Sequence, residues 1–127
     1  MLTAAAFTAM GKALIASADS AKIVFTLIGS ETEITYAATI VSDDTGVDSD
    51  GNVVIAIQSE PWTQYRQRTI RVTKVVLYDE DDNVLVEKDE SIIMALISTT
   101  GTDVLLNYRL ILNFSEFEIQ YASEVSF

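Results

Sequence analysis

The 127-residue sequence contains no cysteine and no histidine. Without cysteine the chain forms no disulfide, has no thiol nucleophile and builds no zinc–thiolate site. Without histidine it lacks the commonest general base, the commonest transition-metal ligand and every Ser-His or Cys-His pair. The chemistry that remains belongs to carboxylates, lysine and tyrosine, or to a divalent cation held by oxygen atoms. We therefore predict that the protein is not an enzyme and holds no cofactor.

Positive charge is scarce as well, since eight Lys and Arg stand against nineteen Asp and Glu, for a net charge of −11. Phosphate backbones and anionic lipid surfaces repel such a chain, so we predict neither a nucleic-acid partner nor a membrane partner. No apolar run approaches the roughly 20 residues of a spanning helix. The Ala-rich N-terminus has no Lys or Arg before its apolar segment, and Lys12 interrupts that segment, so no signal peptide is predicted.

The length suits one domain, residues 1–127, and that domain begins with a predicted helix over residues 3–17. Alanine favours the helix, Thr3 is a suitable N-cap, and Leu2, Met10 and Leu14 fall near one face.

From Lys22 onward the hydrophobic period changes to two, which predicts about eight strands between residues 22 and 121. The predicted strands cover 22–28, 33–41, 52–58, 69–78, 84–88, 91–97, 103–114 and 116–121. Since the segment 91–97 is apolar on both faces, we expect it to be a central strand. The pattern predicts a mainly β protein, an antiparallel β-sandwich with one N-terminal α-helix that covers an edge or an end of the sheets.

The segment around Asp48, Asp50 and Asn52 matches the first three ligand positions of a calcium-binding loop. The match then fails, because Val53 stands where that loop needs glycine and Ser59 where it needs glutamate. A solvated Asp-Gly-Asn turn is the favoured interpretation, and a weak Ca²⁺ site is the alternative. The four consecutive acidic residues 79–82 indicate a hairpin tip in the same way.

A loop rich in aromatic and basic residues interrupts this acidic chain. Trp62, Tyr65, Arg66 and Arg68 are of the types enriched at protein-interaction hot spots, which predicts a contact surface. In the other interpretation, Trp62 closes the core beneath a long loop and the arginines are solvated. The C-terminal residues 116–127, which end at Phe127, form a candidate arm that adds a strand to a neighbouring chain.

Several segments of the sequence follow one another in an order that is found in one group of viral proteins. They are the Ala-rich start Leu2–Met10, the strand Lys22–Thr26, the strand end Leu77-Tyr78-Asp79 with its acidic turn, the return strand Val84–Val86, and the late strand Leu105–Phe114. This order resembles the N-terminal domain of bacteriophage tail-fibre proteins. The usual Gly-rich segment after the Phe-Thr strand is replaced here by Leu27–Glu31.

The resemblance implies a virion structural protein, made in the host cytoplasm, that works through protein–protein contacts and no chemistry. The fibre shaft typical of that family is not part of this sequence, so a tail-fibre or baseplate adaptor is the expected form. Its partners would be copies of itself, as a homo-oligomer, and other virion structural proteins. The alternative function is a small ligand-binding or carbohydrate-binding β-module that uses Trp62 and Tyr65.

Overall fold

The structure is a computed structural model that describes residues 3–49, 51–61, 68–96 and 105–113, with Leu96 described by its backbone only. One α-helix, one short 3-10 helix (Ser42–Asp44) and seven strands lie within these ranges. In chain order the α-helix and the strands are α1 (Ala4–Ser17), β1 (Ser20–Leu27), β2 (Ile34–Ile40), β3 (Gly46–Val47), β4 (Val53–Ser59), β5 (Arg68–Tyr78), β6 (Val84–Leu96) and β7 (Asn107–Leu112).

The N-terminal helix is confirmed, and its first turn is capped as predicted. The Thr3 side chain accepts a hydrogen bond from the backbone N–H of Ala6 at 3.2 Å, which satisfies one of the free donors of the first turn. The helix ends where Ala18 turns to an extended conformation with ψ of 127°. The chain then enters β1 after only one further residue.

The buried face of α1 differs from the predicted one. Leu14, Ile15 and Ala18 pack against the core of the sheet, and Gly11 is buried. Met10, which the sequence pattern places on the core side, is 42% exposed. Alanines occur all around the helix, so the sequence marks its core-facing side only weakly.

All strand pairs in the sheet are antiparallel. The order along the sheet is β3-β4-β2-β1-β5-β6, and β7 pairs with the other side of β4. β4 meets β3 through its first two residues and β2 through its last three, and it meets β7 along residues 53–58. In the described part of the chain β3, β6 and β7 each have one partner strand, and since β3 has only two residues, β6 and β7 are the two long edge strands.

A single sheet that curls into a half-barrel replaces the predicted sandwich, which is not confirmed. Both architectures bury one face of each strand, so the alternation of apolar residues cannot separate them. Register shifts at Val24/Phe25 and between Val72 and Lys74 mark bulges, which bend and twist strands. The Thr73 hydroxyl donates to the Val24 carbonyl at 3.3 Å across one of these irregularities.

The concave face forms the core and is closely packed. Its most buried side chains, at no more than 1% exposure, are Ile23, Phe25, Ile55, Ile57, Ile70, Val72, Val75, Leu77, Leu110 and Val53. β7 shows the cleanest alternation, in which residues 108, 110 and 112 are buried and residues 107, 109 and 111 are exposed. The ring of Phe25 meets that of Tyr36 edge to face at 5.9 Å.

Two strand predictions are corrected. The predicted strands 84–88 and 91–97 are one continuous strand, β6, because the charged segment between them stays in the ladder opposite β5. The segment 91–97 was expected to be central, yet in the described part of the chain β6 lies at the edge. The predicted strand 116–121 and the arm 116–127 lie outside the described residues.

Candidate functional site

β6, β7 and the residue two positions before β7 together carry four of the six exposed large apolar side chains of the described residues. Ile93 and Val84 on β6 are 59% and 55% exposed. On β7 and just before it, Ile111 and Leu105 are 48% and 43% exposed. An edge strand also has backbone N–H and C=O groups that point away from its one partner, so it offers hydrogen bonds as well as apolar contact.

The inner face of β6 bears two charged residues within an otherwise apolar row. Lys88 lies opposite the core residue Val75, and Ile92 lies opposite Val72, so Lys88, Glu90 and Ile92 share the concave side. The Lys88 ammonium lies 3.1 Å from Oε1 of Glu90, whose side chain is only 15% exposed. Inward-pointing charges are one of the devices by which edge strands limit unspecific pairing.

The same Glu90 oxygen joins β6 to β7. The hydroxyl of Tyr108 donates a hydrogen bond to Oε1 of Glu90 at 2.6 Å, a short distance typical of a charged acceptor. Tyr108 itself is 6% exposed. The two edges of the half-barrel therefore lie within reach of each other on the concave side, and we call the gap between β6 and β7 the seam.

Both partners of this hydrogen bond titrate away from their ordinary values. The Tyr108 hydroxyl, together with Lys88, lowers the pKa of Glu90 against the opposing effect of its burial. Burial first, and then the bond to the Glu90 carboxylate, raises the pKa of Tyr108 well above its ordinary value. At neutral pH the bond therefore joins a carboxylate and a neutral phenol.

The sequence pattern does not reveal this cluster. Its one local signal is the pair of charges at Lys88 and Glu90, which continue the even-numbered row of Val86 and Ile92 on one face of a strand. In the sequence prediction Lys88 ends the strand 84–88, and Glu90 lies in the gap before the strand 91–97. Tyr108 lies eighteen positions further along the chain, and no local pattern connects it to Glu90.

The outer face of the sheet carries its own ion pair. Lys74 on β5 lies 2.7 Å from Oε1 of Glu87 on β6, and that hydrogen bond raises the pKa of Lys74. Both side chains are more than one third exposed, so solvent screens the pair and limits its contribution to stability. Lys22 on β1 lies over the ring of Tyr78 at 5.1 Å.

The calcium candidate is built as a turn. Oδ1 of Asp48 accepts the backbone N–H of Asn52 at 2.9 Å, and its Oδ2 lies 3.4 Å from the Asn52 side-chain amide. Gly51 supplies the left-handed conformation, with φ of 81°, that the turn requires. Asp50 lies outside the described residues. Within the described ranges no group of three or more Asp, Glu, His or Cys is arranged to hold a metal ion.

The acidic turn after β5 repeats this arrangement. Oδ1 of Asp79 accepts the backbone N–H of Asn83 at 2.9 Å, and its Oδ2 accepts the Asn83 amide at 3.2 Å. Asp82 takes the place of the glycine, with φ of 63°. Both segments have the sequence Asp-x-Asp-x-Asn-Val and lead into the next long strand. In each of them the carboxylate of the first aspartate accepts the backbone N–H of the asparagine, which fixes the turn of a hairpin.

Of the four residues of the predicted aromatic and basic contact surface, the structure describes only Arg68. Trp62, Tyr65 and Arg66 lie outside the described residues, as does Phe127. Arg68 is the first residue of β5, is exposed and lies opposite Leu96 of β6. The predicted contact surface therefore begins beside the far end of the β6 edge.

A surface pocket of about 420 Å³ lies beside β7, between this strand, β4 and the segment that leaves β2. Gln58, Asn107 and Arg109 line it together with Val41 and Asp44. The amide groups of Gln58 and Asn107 already bond to each other at 3.0 Å. Two of the polar side chains of this pocket thus serve the β4–β7 contact.

Comparison with family models, with curated proteins and with solved structures finds no match to this chain. In the described residues, no helix is both long enough and apolar enough to span a membrane.

Proposed function

We propose that this chain is a non-enzymatic assembly module that acts by pairing its edge strands with strands of other chains, beginning with copies of itself. The observation that carries the proposal is the β6 edge, thirteen residues long, with Ile93 59% exposed. Pairing along such an edge would satisfy backbone groups and bury apolar side chains in one step. The concave face is already filled, so it is the edges that remain for partners.

The charge distribution supports a regulated contact over indiscriminate aggregation. A net charge of −11 makes copies of the chain repel one another at low ionic strength. Lys88 and Glu90 on the inner face of β6 further restrict the strands that can pair there, because a partner must accommodate two charged side chains on its inner side. Association would therefore be selective, and it would strengthen as added salt screens the overall repulsion.

The narrower proposal is a virion structural component, a tail-fibre or baseplate adaptor. It depends on the order of sequence segments described above, above all the strand end Leu77-Tyr78-Asp79 with its acidic turn. Such an order is an argument by analogy, and it is independent of the edge geometry. Mass spectrometry of purified virus particles would test it, since a structural component must be present there in fixed stoichiometry.

The test of the assembly function is the solution mass of the protein, measured by light scattering over a wide range of concentration. The wild type is expected to form a defined oligomer, and Ile93→Lys is expected to shift it to the monomer. Ile28→Lys is the matched control, because Ile28 is 50% exposed in the β1–β2 turn and the substitution adds the same charge. A wild type that stays monomeric at every concentration and at high salt would reject self-assembly.

A further inference from the structure

The directions of the strands allow the two edges to pair with each other. Starting at β6, the path through β5, β1, β2 and β4 to β7 crosses five antiparallel contacts. An odd number of reversals leaves β7 antiparallel to β6. Direct pairing of these two strands would therefore close an all-antiparallel ring of six strands, which removes the free edges of β6 and β7 at once.

The contact across the seam marks a register. The hydroxyl of Tyr108 reaches Glu90 at 2.6 Å, and both side chains belong to the concave face. If these two residues lie opposite each other, the inner neighbours on either side are also matched in an antiparallel ladder. Ile92 then faces Leu106 and Val86 faces Leu112, whereas Lys88 faces the buried Leu110.

The outer face is matched in the same register. Asp89 then faces Arg109, which makes no ion pair with another described residue. Ser91 faces Asn107, and both side chains are exposed and polar. Ile93 and Leu105, which are 59% and 43% exposed, face each other. This register thus pairs opposite charges, polar side chains and exposed apolar side chains at these three positions, each of which favours cross-strand contact, while Glu87 faces Ile111.

We infer that β7 is the partner of the β6 edge within the same chain, and that the seam closes by antiparallel pairing with Glu90 opposite Tyr108. The inference deepens the proposed function, because it identifies an internal strand that competes with strands of other chains for the same edge. Ten residues, 97–106, separate the two strands in the sequence. A short connection keeps β7 at a high effective concentration beside β6, which favours pairing within the chain.

Because the chain has no cysteine of its own, only introduced cysteines can form a disulfide in a cross-linking test. In the inferred register, the double variant Ser91→Cys/Asn107→Cys places two cysteines directly opposite on the exposed outer face. Ser91→Cys with Leu105→Cys and Ser91→Cys with Arg109→Cys are the matched controls, each one ladder step away. A disulfide needs Cα atoms about 4.4–6.8 Å apart, which directly opposite residues satisfy and diagonal ones exceed.

Under mild oxidation, the Ser91/Asn107 pair is expected to form an intrachain disulfide at least ten times faster than either control, read on a non-reducing gel. Fastest cross-linking in a control pair would overturn the register. Cross-links that form only between chains, or in no pair, would overturn closure within the chain. Far-UV circular dichroism of the reduced variants, which change exposed positions only, shows whether each retains the wild-type fold.

The same variant separates this inference from the proposed function. With the seam locked, the oxidised protein is expected to be monomeric at concentrations at which the reduced protein assembles. If the intrachain disulfide forms and the locked protein still assembles, closure stands and assembly does not use these edges. If assembly needs Ile93 but no intrachain disulfide forms, the proposed function stands and the inference fails.

Discussion

The hydroxyl of Tyr108 on β7 lies 2.6 Å from Oε1 of Glu90 on β6, so one side-chain hydrogen bond connects the two edges of the half-barrel. Lys88 holds the same carboxylate oxygen at 3.1 Å. The Glu90 carboxylate thus holds near each other the two strands with which other chains could pair. Single substitutions and changes in pH can alter its bonds separately.

Removing the Tyr108 hydroxyl isolates the energy of that bond. Tyr108→Phe keeps the buried ring and removes a hydrogen bond to a carboxylate, which typically contributes about 1.5–3 kcal/mol. We expect the free energy of unfolding in urea to fall by about this amount. Tyr78→Phe is the control, because the contact of its ring with Lys22 does not use the hydroxyl, and it should change stability little. Equal losses in both variants would contradict a specific role for the bond.

Acid should weaken the same contact. The pKa of Glu90 in the folded protein is below its ordinary value of 4.5, so its contribution is present above pH 4.5 and is lost as the pH falls through the lowered pKa. The pKa of Tyr108 is raised, so its contribution is present below its ordinary value of 10.0 and is lost as the pH rises through the raised pKa.

Urea midpoints of the wild type and of Glu90→Gln, measured from pH 3 to 8, test the acid limb. The advantage of the wild type should be constant above pH 5 and should shrink below pH 4.5. A difference that stays the same down to pH 3 would show that the Glu90 charge is not what stabilises the seam.

The left-handed conformation of Asp82 predicts a stabilising substitution. Its φ of 63° is unfavourable for most residues with a Cβ, whereas the equivalent position in the first turn is Gly51. Asp82→Gly should therefore raise the free energy of unfolding by up to about 1 kcal/mol, measured by thermal or urea unfolding. Asp81→Gly removes the same charge at a residue without positive φ, and it should give no gain. A similar gain in both variants would assign the effect to charge alone.

The capping role of Asp79 can be tested against its acidic neighbours. Oδ1 of Asp79 accepts the backbone N–H groups of Asp81 and Asn83, both at 2.9 Å, and the Asn83 bond is the first cause of its lowered pKa. Asp79→Ala should lower the urea midpoint at pH 7, whereas Asp81→Ala, which relieves charge repulsion, should not. The effect of Asp79→Ala should vanish as the pH falls through the lowered pKa of Asp79. Identical behaviour of the two variants would show that the turn does not depend on the cap.

The helix cap, several strands and the acidic turns could be predicted from the sequence, because they depend on interactions between neighbouring residues. The cap at Thr3 and the strands at β1, β2 and β4 follow from neighbouring residues, because capping and alternation act over a few positions. The acidic segments were recognised as turns on the same grounds. The exclusion of thiol and imidazole chemistry followed from composition alone.

Contacts between distant residues decided the rest. The alternation within a strand is the same in a sandwich and in a curled sheet, so only the pairing of β4 with β7 and the position of β6 at the edge define a half-barrel. Asp89 and Glu90 separate two strands in the sequence prediction, whereas in the structure one strand continues through them, because Asp89 lies in the ladder with β5 and Glu90 accepts the hydroxyl of Tyr108. The sequence determined by itself where the chain turns and which atoms it can use. Tertiary structure decided which strand is left without a neighbour, because strand order depends on packing energies summed over the whole sheet.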